Sequence, residues 1–139
     1  MDASEARSLF ASARVARLAS VGADGAPHIV PICFAVDGDR IYSAVDHKPK
    51  RTERLRRLAN IAANPRVSVL VDHYEDDWSR LWWARADGVA QVAAPGVDDQ
   101  ARAVELLGAR YEQYRERRPA GPAIVISVSR WTGWMPPMR

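Results

Sequence analysis

Short stretches typical of β-strands, separated by turns rich in glycine, proline and aspartate, constrain the fold of this chain more than any other feature. The clearest is Val67 to Tyr74, where Val67, Val69 and Val71 alternate with residues of the opposite face. Five more strands are predicted at Arg14 to Val21, His28 to Val36, Arg40 to Val45, Leu81 to Ala93 and Ala123 to Val128. We expect the strand Leu81 to Ala93 to be bent or broken at Asp87-Gly88.

Helices are predicted at three places between these strands. The first begins with the capping box Asp2 to Glu5 and buries Ala6, Leu9, Phe10 and Ala13. The second is capped by Thr52, ends at Asn64-Pro65 and buries Leu55, Leu58, Ala59 and Ala62. The third runs from Asp98 to Arg117 and has Val104, Leu107, Tyr111 and Tyr114 on one side. Because helices and strands do not alternate one to one, we predict a mainly β protein with short helices that folds as an antiparallel β-barrel.

Length and composition indicate one globular domain over residues 1–139. The chain is 47% hydrophobic and 27% charged, which is ordinary for a protein with a packed core. It has neither a long apolar run nor a signal-like start, so we expect a cytoplasmic protein without membrane association. Cys33 is the only cysteine, which excludes an intramolecular disulfide.

The most distinctive charged segment is Asp46 to Thr52. Lys48 and Lys50 are the only lysines of a chain whose other basic residues are arginines, and Pro49 keeps the segment out of a central strand. These ammonium groups, Arg51, the hydroxyl groups of Thr52 and Ser43 and the first amides of the following helix would together hold a phosphate. From the pattern alone, a solvated basic loop is an equally good interpretation.

Other functional classes have less support in the sequence. Nucleic-acid binding ranks below phosphate binding because no aromatic residue lies between Tyr42 and Tyr74 to interleave with the basic ones. His28, His47 and His73 lack the spacing of metal ligands, so we predict no metal site. Arg54, Arg56 and Arg57 are interpreted as solubilising residues of a helix surface.

Two apolar features are compatible with a bound ring system. Pro31 interrupts the second strand, so that Ile29, Pro31 and Cys33 form either a kinked platform for a planar ring or the end of a strand pairing. Trp82 and Trp83 point to opposite faces of one strand, so at least one of them is expected to meet a dimer interface or a cofactor edge. Trp131 and Trp134 are suited to covering a partner subunit, with packing inside one chain as the default.

In order and spacing, these features resemble the split-barrel flavin and deazaflavin oxidoreductases related to pyridoxamine 5'-phosphate oxidase. The resemblance covers most of the chain. Besides the opening helix, it is carried by Ala16 to Ser20, Asp24 to His28, Phe34 to Gly38, Lys50-Arg51, Leu58 to Asn60, Asn64 to Val67, Arg85 to Ala90 and Gly133-Trp134. It implies an antiparallel split β-barrel of the type that binds flavin mononucleotide (FMN), and a homodimer with a cofactor in each of two interface clefts.

The resemblance also implies which residues contact the cofactor. The phosphate would be held by Lys48, Lys50, Arg51 and Thr52. The ring and the ribityl chain would be lined by Val30, Pro31, Ile32, Cys33, Ser43, Ala44, Val45 and Asp46. Further expected contacts, from the same or the facing subunit, are Leu70, Val71, Trp83 and Arg85.

One segment points to the cofactor type. Members similar to pyridoxamine phosphate oxidase itself carry Arg-x-Val-Leu-Leu-Lys on the second strand, where this chain has His28 to Phe34. Its pattern Pro27-His28-Ile-Val-Pro31 looks more like the actinobacterial branch that uses the deazaflavin coenzyme F420, and the resemblance therefore implies an F420-dependent oxidoreductase acting on a small-molecule substrate. An FMN-dependent oxidase and a non-catalytic cofactor carrier or sensor are the alternatives. Tyr42, His73 and Arg85 are candidate proton donors, but the sequence assigns none of them a catalytic role.

Overall fold

The computed structural model describes residues 1–45 and 51–137, without the side chains of residues 51–55. Its elements, in chain order, are α1 (Ala3–Ser12), β1 (Ala16–Val21), β2 (Pro27–Ile32), β3 (Ala35–Asp37), β4 (Arg40–Ala44), α2 (Arg51–Ala63), β5 (Arg66–His73), a 3-10 turn (Trp78–Arg80), β6 (Trp82–Ala93), α3 (Asp98–Arg110), α4 (Glu112–Glu116) and β7 (Ala123–Trp134). Asp2 accepts a hydrogen bond from the Glu5 amide at 2.8 Å, which confirms the predicted cap of the first helix.

One antiparallel sheet holds all the described strands, in the order β2-β1-β5-β6-β7-β4-β3. The edge strands β2 and β3 are consecutive in the chain and are joined by Cys33 and Phe34 alone. Because two residues span only about 10 Å, the two edges must lie close together and the sheet must curl. The predicted mainly β, antiparallel split barrel is thereby confirmed. We call the place where the chain crosses between the edges, Cys33-Phe34, the seam.

The prediction of one strand from His28 to Val36 was wrong, because the chain crosses between the two sheet edges at the seam. Pairing of β2 with β1 ends where Ile32 lies opposite Ala16, the first residue of β1. Beyond that point the chain leaves this edge, and Ala35 begins the opposite edge by pairing with Tyr42 of β4. The apolar run is therefore continuous in sequence but is divided between two strands.

The barrel interior is apolar and is closed at one side by α1. Val67, Val69 and Val71 of β5 are buried, which confirms their predicted alternation. Phe10 of α1 is fully buried, and its ring lies edge-on to those of Phe34 and Trp131, with centroids 5.0 Å and 5.3 Å away. These aromatic contacts attach the first helix to the seam and to β7.

A β-bulge in the long β6–β7 pair confirms the bend predicted at Asp87-Gly88. Asp87 pairs with Arg130 and Gly88 with Val128, so Ser129 is the extra residue. Past the bulge, pairing resumes and continues as far as Trp83 and Trp134. The prediction that the last strand ends at Val128 was wrong, because the bulge lets β7 continue in register to Trp134.

Two helices differ from their predictions. The expected helix from Asp98 to Arg117 is interrupted at Tyr111, whose φ of −120° and ψ of 122° are extended, since its hydroxyl bonds to backbone groups of other elements.

Helix α2 begins at Arg51, which places Thr52 inside the first turn rather than at the predicted cap. Among its described side chains, Leu58 is partly buried and Asn60 and Ile61 are buried, whereas Ala59 and Ala62 are exposed. The buried side is rotated from the prediction, since Asn60 donates to the Ser20 hydroxyl at 3.3 Å.

Within the described ranges, no helix is both long enough and apolar enough to cross a membrane.

Candidate functional site

The outer face of the sheet, opposite the side that buries Val67, Val69 and Val71, brings distant parts of the sequence into one row. Strand pairing places Arg17 opposite both Pro31 and Leu70, Leu70 opposite Arg85, and Arg85 opposite Thr132. Residues directly opposite in an antiparallel sheet point to the same side. Pro31, Leu70 and Arg85, three of the predicted cofactor-binding residues, therefore share one face.

A groove with a volume of about 520 Å³ crosses this outer face. Apolar and aromatic side chains form most of its surface, and charged groups lie at its edges. Its lining consists of Arg17, Ala19, Ile29, Ser68, Leu70, Asp72, His73, Tyr74, Leu81, Trp82, Trp83, Arg85 and Trp134. A concave apolar surface with a few polar groups is the usual form of a small-molecule site.

Two guanidinium groups are oriented by neighbouring carboxylates in this groove. Arg85 donates to Asp87 at 3.2 Å and lies 5.7 Å from the centroid of the Trp83 ring. Asp87 also accepts a hydrogen bond from Ser68 at 2.6 Å, which fixes the carboxylate. Arg17 pairs with Asp72 at 3.3 Å. Because these pairs are part-exposed, they stabilise the fold only weakly, and their main effect is to hold the planar guanidinium groups in place.

The rim of the groove carries a histidine with a carboxylate partner. His73 Nε2 bonds to Glu75, and its ring stacks on Trp82 at a centroid distance of 6.2 Å. Glu75 also pairs with Arg80 at 3.2 Å. Since Glu75 takes Nε2, the remaining ring nitrogen, Nδ1, is left for another partner. Of the candidate proton donors, His73 and Arg85 therefore line the groove.

The third candidate proton donor, Tyr42, lies elsewhere. Its side chain is buried among Ala93, Ala103 and Ala123, and its hydroxyl accepts a hydrogen bond from Arg40 at 3.2 Å. It does not line the groove. The structure thus separates Tyr42 from His73 and Arg85.

The predicted cofactor-binding residues whose side chains the structure describes occupy three places. Leu70, Trp83 and Arg85 line the groove, and Pro31 shares its face. Val30, Ile32 and Val71 pack instead in the barrel interior, where strand alternation directs them away from the groove. The residues at or near the seam are Cys33, Ser43, Ala44 and Val45. Ser43 donates its hydroxyl hydrogen to the Cys33 carbonyl at 2.8 Å, which joins the end of β4 to the seam.

The predicted phosphate contacts lie largely outside the described residues. Asp46, Lys48 and Lys50 fall in the range 46–50, and Arg51 and Thr52 belong to α2 but have no described side chains. Their role stays a prediction. Among the residues that the structure does describe, no group of three or more histidine, cysteine, aspartate or glutamate side chains is placed to bind a metal ion.

Several groove residues were not predicted from the sequence, among them Arg17 and Asp72, and Trp134 was not placed beside Trp83. Arg17 lies opposite Leu70 only because β1 pairs with β5, which is not its neighbour in sequence. Trp134 reaches the groove because β7 continues beyond the bulge to pair with Trp83. The available signals were the adjacent residues Trp82 and Trp83 and the apolar positions beside Pro31, which pointed to this surface without identifying the partner strands.

A curled antiparallel sheet with a seam and a groove on its outer face defines a split-barrel protein. The chain belongs to the pyridoxamine 5'-phosphate oxidase family, whose model matches residues 3–135. This family includes flavin-binding oxidoreductases.

Three known proteins illustrate the similarity. An FAD-binding protein of Mesorhizobium loti has a TM-score of 0.73 at 21% identity, covering 96% of this chain and 94% of its own. A conserved hypothetical protein of Mycobacterium tuberculosis has a TM-score of 0.76 at 22% identity, covering 100% and 91%. A 5a,11a-dehydrotetracycline/5a,11a-dehydrooxytetracycline reductase of Streptomyces rimosus is 41% identical over 56 residues, which are 40% of this chain and only 38% of that relative's length.

Proposed function

We propose that this chain is an F420-dependent oxidoreductase that reduces a small organic acceptor. The observation that carries the proposal is the outer groove, whose apolar surface beside Leu70 and Trp83 fits a planar ring and whose edge holds an oriented guanidinium, that of Arg85. The choice of the deazaflavin rests on the pattern Pro27-His28-Ile-Val-Pro31, which is similar to the F420-using branch of the family. When bound, the reduced coenzyme supplies a hydride.

In this proposal, residues of the chain bind the coenzyme, orient its ring and keep water away from it. Trp83 and Leu70 offer the flat surface on which a ring would lie, and they keep water from that side of it. Arg85, fixed by Asp87, would face negative charge on the ring or on the acceptor. Lys48, Lys50, Arg51 and Thr52 would hold the phosphate, as the family resemblance implies.

Reduction of a carbon–carbon double bond by hydride also needs a proton, and His73 is the best-placed source. Its side chain lines the groove and its Nε2 bonds to Glu75, which would leave Nδ1 as the ring nitrogen available to an acceptor. The carboxylate orients the ring, as in other histidine–carboxylate pairs. The Streptomyces rimosus relative is by name a reductase of dehydrotetracyclines, which supports a conjugated, oxygen-rich acceptor for this chain as well.

The proposed active form is a homodimer in which a second copy covers the outer face. Ile29 is 66% exposed and Trp134 45% exposed on that face, although both are large and apolar. The ion pairs Arg17–Asp72 and Arg85–Asp87 balance its charge, so two copies can approach without net repulsion at this surface. A second copy would close the open side of each groove.

Ile29→Glu is expected to convert the dimer to a monomer, because the substitution places an unpaired carboxylate in the apolar interface. Sedimentation equilibrium at micromolar concentration measures the change as a halving of the molar mass. Val97→Glu is the matched control, since Val97 is 45% exposed, precedes α3 and does not line the groove. A wild-type protein that sediments as a monomer would contradict the dimer proposal.

The cofactor proposal is tested by titrating the purified protein with coenzyme F420 and, separately, with FMN. We expect micromolar or tighter binding of F420 and weaker binding of FMN. Lys50→Ala should weaken F420 binding by about 1.5 to 3 kcal/mol, because it removes a charge-assisted contact to the phosphate. Arg56→Ala is the matched control, since this exposed arginine of α2 is interpreted as a solubilising residue.

The outcome of these titrations separates the alternatives. Absence of micromolar F420 binding contradicts the proposal, and a protein that purifies yellow and prefers FMN supports the FMN-dependent oxidase. A protein that binds F420 but turns over no member of a panel of enones, quinones and biliverdin-like acceptors is a carrier or sensor. Equal effects of Lys50→Ala and Arg56→Ala would show that the cofactor phosphate is not held at Lys50.

A further inference from the structure

The seam leaves backbone groups that no strand pairing satisfies. Phe34 is fully buried and lies between β2 and β3, outside both ladders. Its amide and carbonyl therefore need other partners, since a buried backbone group without a hydrogen bond is costly. Both partners come from the break between α3 and α4.

Tyr111 and Arg110 supply these partners. The Tyr111 hydroxyl oxygen accepts a hydrogen bond from the Phe34 amide at 3.2 Å, and its single proton is shared between the carbonyls of Phe34, at 3.0 Å, and Arg14, at 2.9 Å. Arg110 donates to the Phe34 carbonyl at 2.9 Å and to the Ala13 carbonyl. We call Arg110 and Tyr111, with the backbone groups that they bind, the seam latch.

Burial keeps the seam latch in the protonation state that it needs. Removal from water raises the pKa of the Tyr111 hydroxyl, so Tyr111 keeps the proton that it donates. The same effect lowers the pKa of Arg110 from its very high ordinary value, which leaves the group charged at physiological pH. The Arg110 guanidinium also lies over the rings of Phe34 and Tyr111, 4.7 Å and 5.4 Å from their centroids.

The seam latch is connected to predicted cofactor contacts through the residues that precede Phe34. Preceding Phe34, Cys33 presents its carbonyl to the Ser43 hydroxyl at 2.8 Å, at the end of β4. Two residues before Cys33, Pro31 of β2 lies opposite Arg17 on the outer face of the sheet. A shift of the Phe34 backbone would therefore move the end of β2 and the end of β4 relative to each other.

We infer that Tyr111 is a positioning residue for cofactor binding, acting through the backbone of the seam rather than by contact with the ligand. This inference rests on the proposed function, because it assumes that a cofactor binds on the outer face, which Pro31 shares and to which the seam connects. On this inference, the break between α3 and α4 keeps Tyr111 extended, so that its hydroxyl reaches the seam. An unbroken helix would not leave this residue extended.

The test is Tyr111→Phe, which keeps the ring and removes the hydroxyl. Hydrogen exchange of the Phe34 amide, followed by NMR without cofactor, should accelerate by about tenfold or more, because the amide loses its acceptor. The dissociation constant of F420 should rise by about tenfold. Leu107→Met, a buried and nearly volume-conserving substitution in the same cluster that removes no hydrogen bond, should leave both quantities within about twofold of wild type.

The two measurements distinguish failure of the inference from failure of the proposed function. Unchanged exchange at Phe34 would overturn the seam latch, and faster exchange with unchanged F420 affinity would overturn its positioning role. A wild-type protein without F420 or FMN affinity would overturn the proposed function and the positioning role together, while the exchange data would still decide whether Tyr111 holds the seam. Arg110→Lys is the second variant should Tyr111→Phe fail to fold. It loosens the Phe34 and Ala13 carbonyls but keeps the acceptor of the Phe34 amide, so the F420 dissociation constant is expected to rise without faster exchange at Phe34, and an unchanged F420 affinity would overturn the positioning role.

Discussion

A chain carrying Gly88→Ala is expected to lose about 3 kcal/mol or more of its free energy of unfolding, a large change for a single methyl group. A β-carbon at position 88 would lie 2.2 Å from the Ser127 carbonyl oxygen and 3.0 Å from the Val128 Cα. These atoms belong to the backbone of β7, so no side-chain rotation can relieve the clash. The strands must separate at the bulge, where Asp87 orients Arg85. Urea unfolding followed by circular dichroism measures the loss.

The matched control for this substitution is Gly121→Ala. No atom outside its immediate neighbours lies within 4 Å of a β-carbon at position 121, and the φ of Gly121 is not positive. This variant should unfold within about 0.5 kcal/mol of wild type, as is usual for substitutions without a structural conflict. If both variants were equally stable, the close approach of β6 and β7 at Gly88 would be wrong.

Phe10→Ala is expected to destabilise the protein by about 3 to 5 kcal/mol. Phe10 is fully buried and makes edge-on contacts with Phe34 and Trp131, so its removal leaves a cavity between α1, the seam and β7. A typical domain is stable by only about 5 to 15 kcal/mol, and this one substitution therefore removes a substantial share. Equilibrium urea unfolding, with fluorescence of the tryptophans as the signal, measures the difference.

Ser8→Ala, on the exposed side of the same helix, is the control for Phe10→Ala. Because alanine has a slightly better helix propensity than serine, this variant should be as stable as wild type or slightly more stable. A loss of less than about 1 kcal/mol in Phe10→Ala would mean that α1 does not close the barrel as described.

Features that depend on neighbouring residues were predictable from the sequence. The cap at Asp2, the alternation of Val67, Val69 and Val71, and the bend at Asp87-Gly88 each follow from local hydrogen bonding, strand periodicity or turn chemistry. The antiparallel barrel followed from the order of such elements. These predictions needed no knowledge of which distant strands pair.

Features that depend on distant pairing were not predictable. The division of His28 to Val36 into two edge strands depends on where β1 begins, at Ala16, and on the partners that Phe34 finds in Tyr111 and Arg110. Likewise, an alternating strand shows that Leu70 and Val71 face opposite sides, but not which strands flank Leu70. For that reason the predicted site mixed residues of the groove with residues of the interior.

The position of the last strand has a consequence for biosynthesis. Strand β7 pairs with β6 on one side and with β4 on the other, so without it the remaining strands form two separate pieces. A nascent chain on the ribosome therefore cannot complete the sheet until Trp134 has been translated and has left the exit tunnel. Until then the apolar surfaces of both pieces stay uncovered, and this long-range topology is expected to make folding slow and dependent on protection by chaperones.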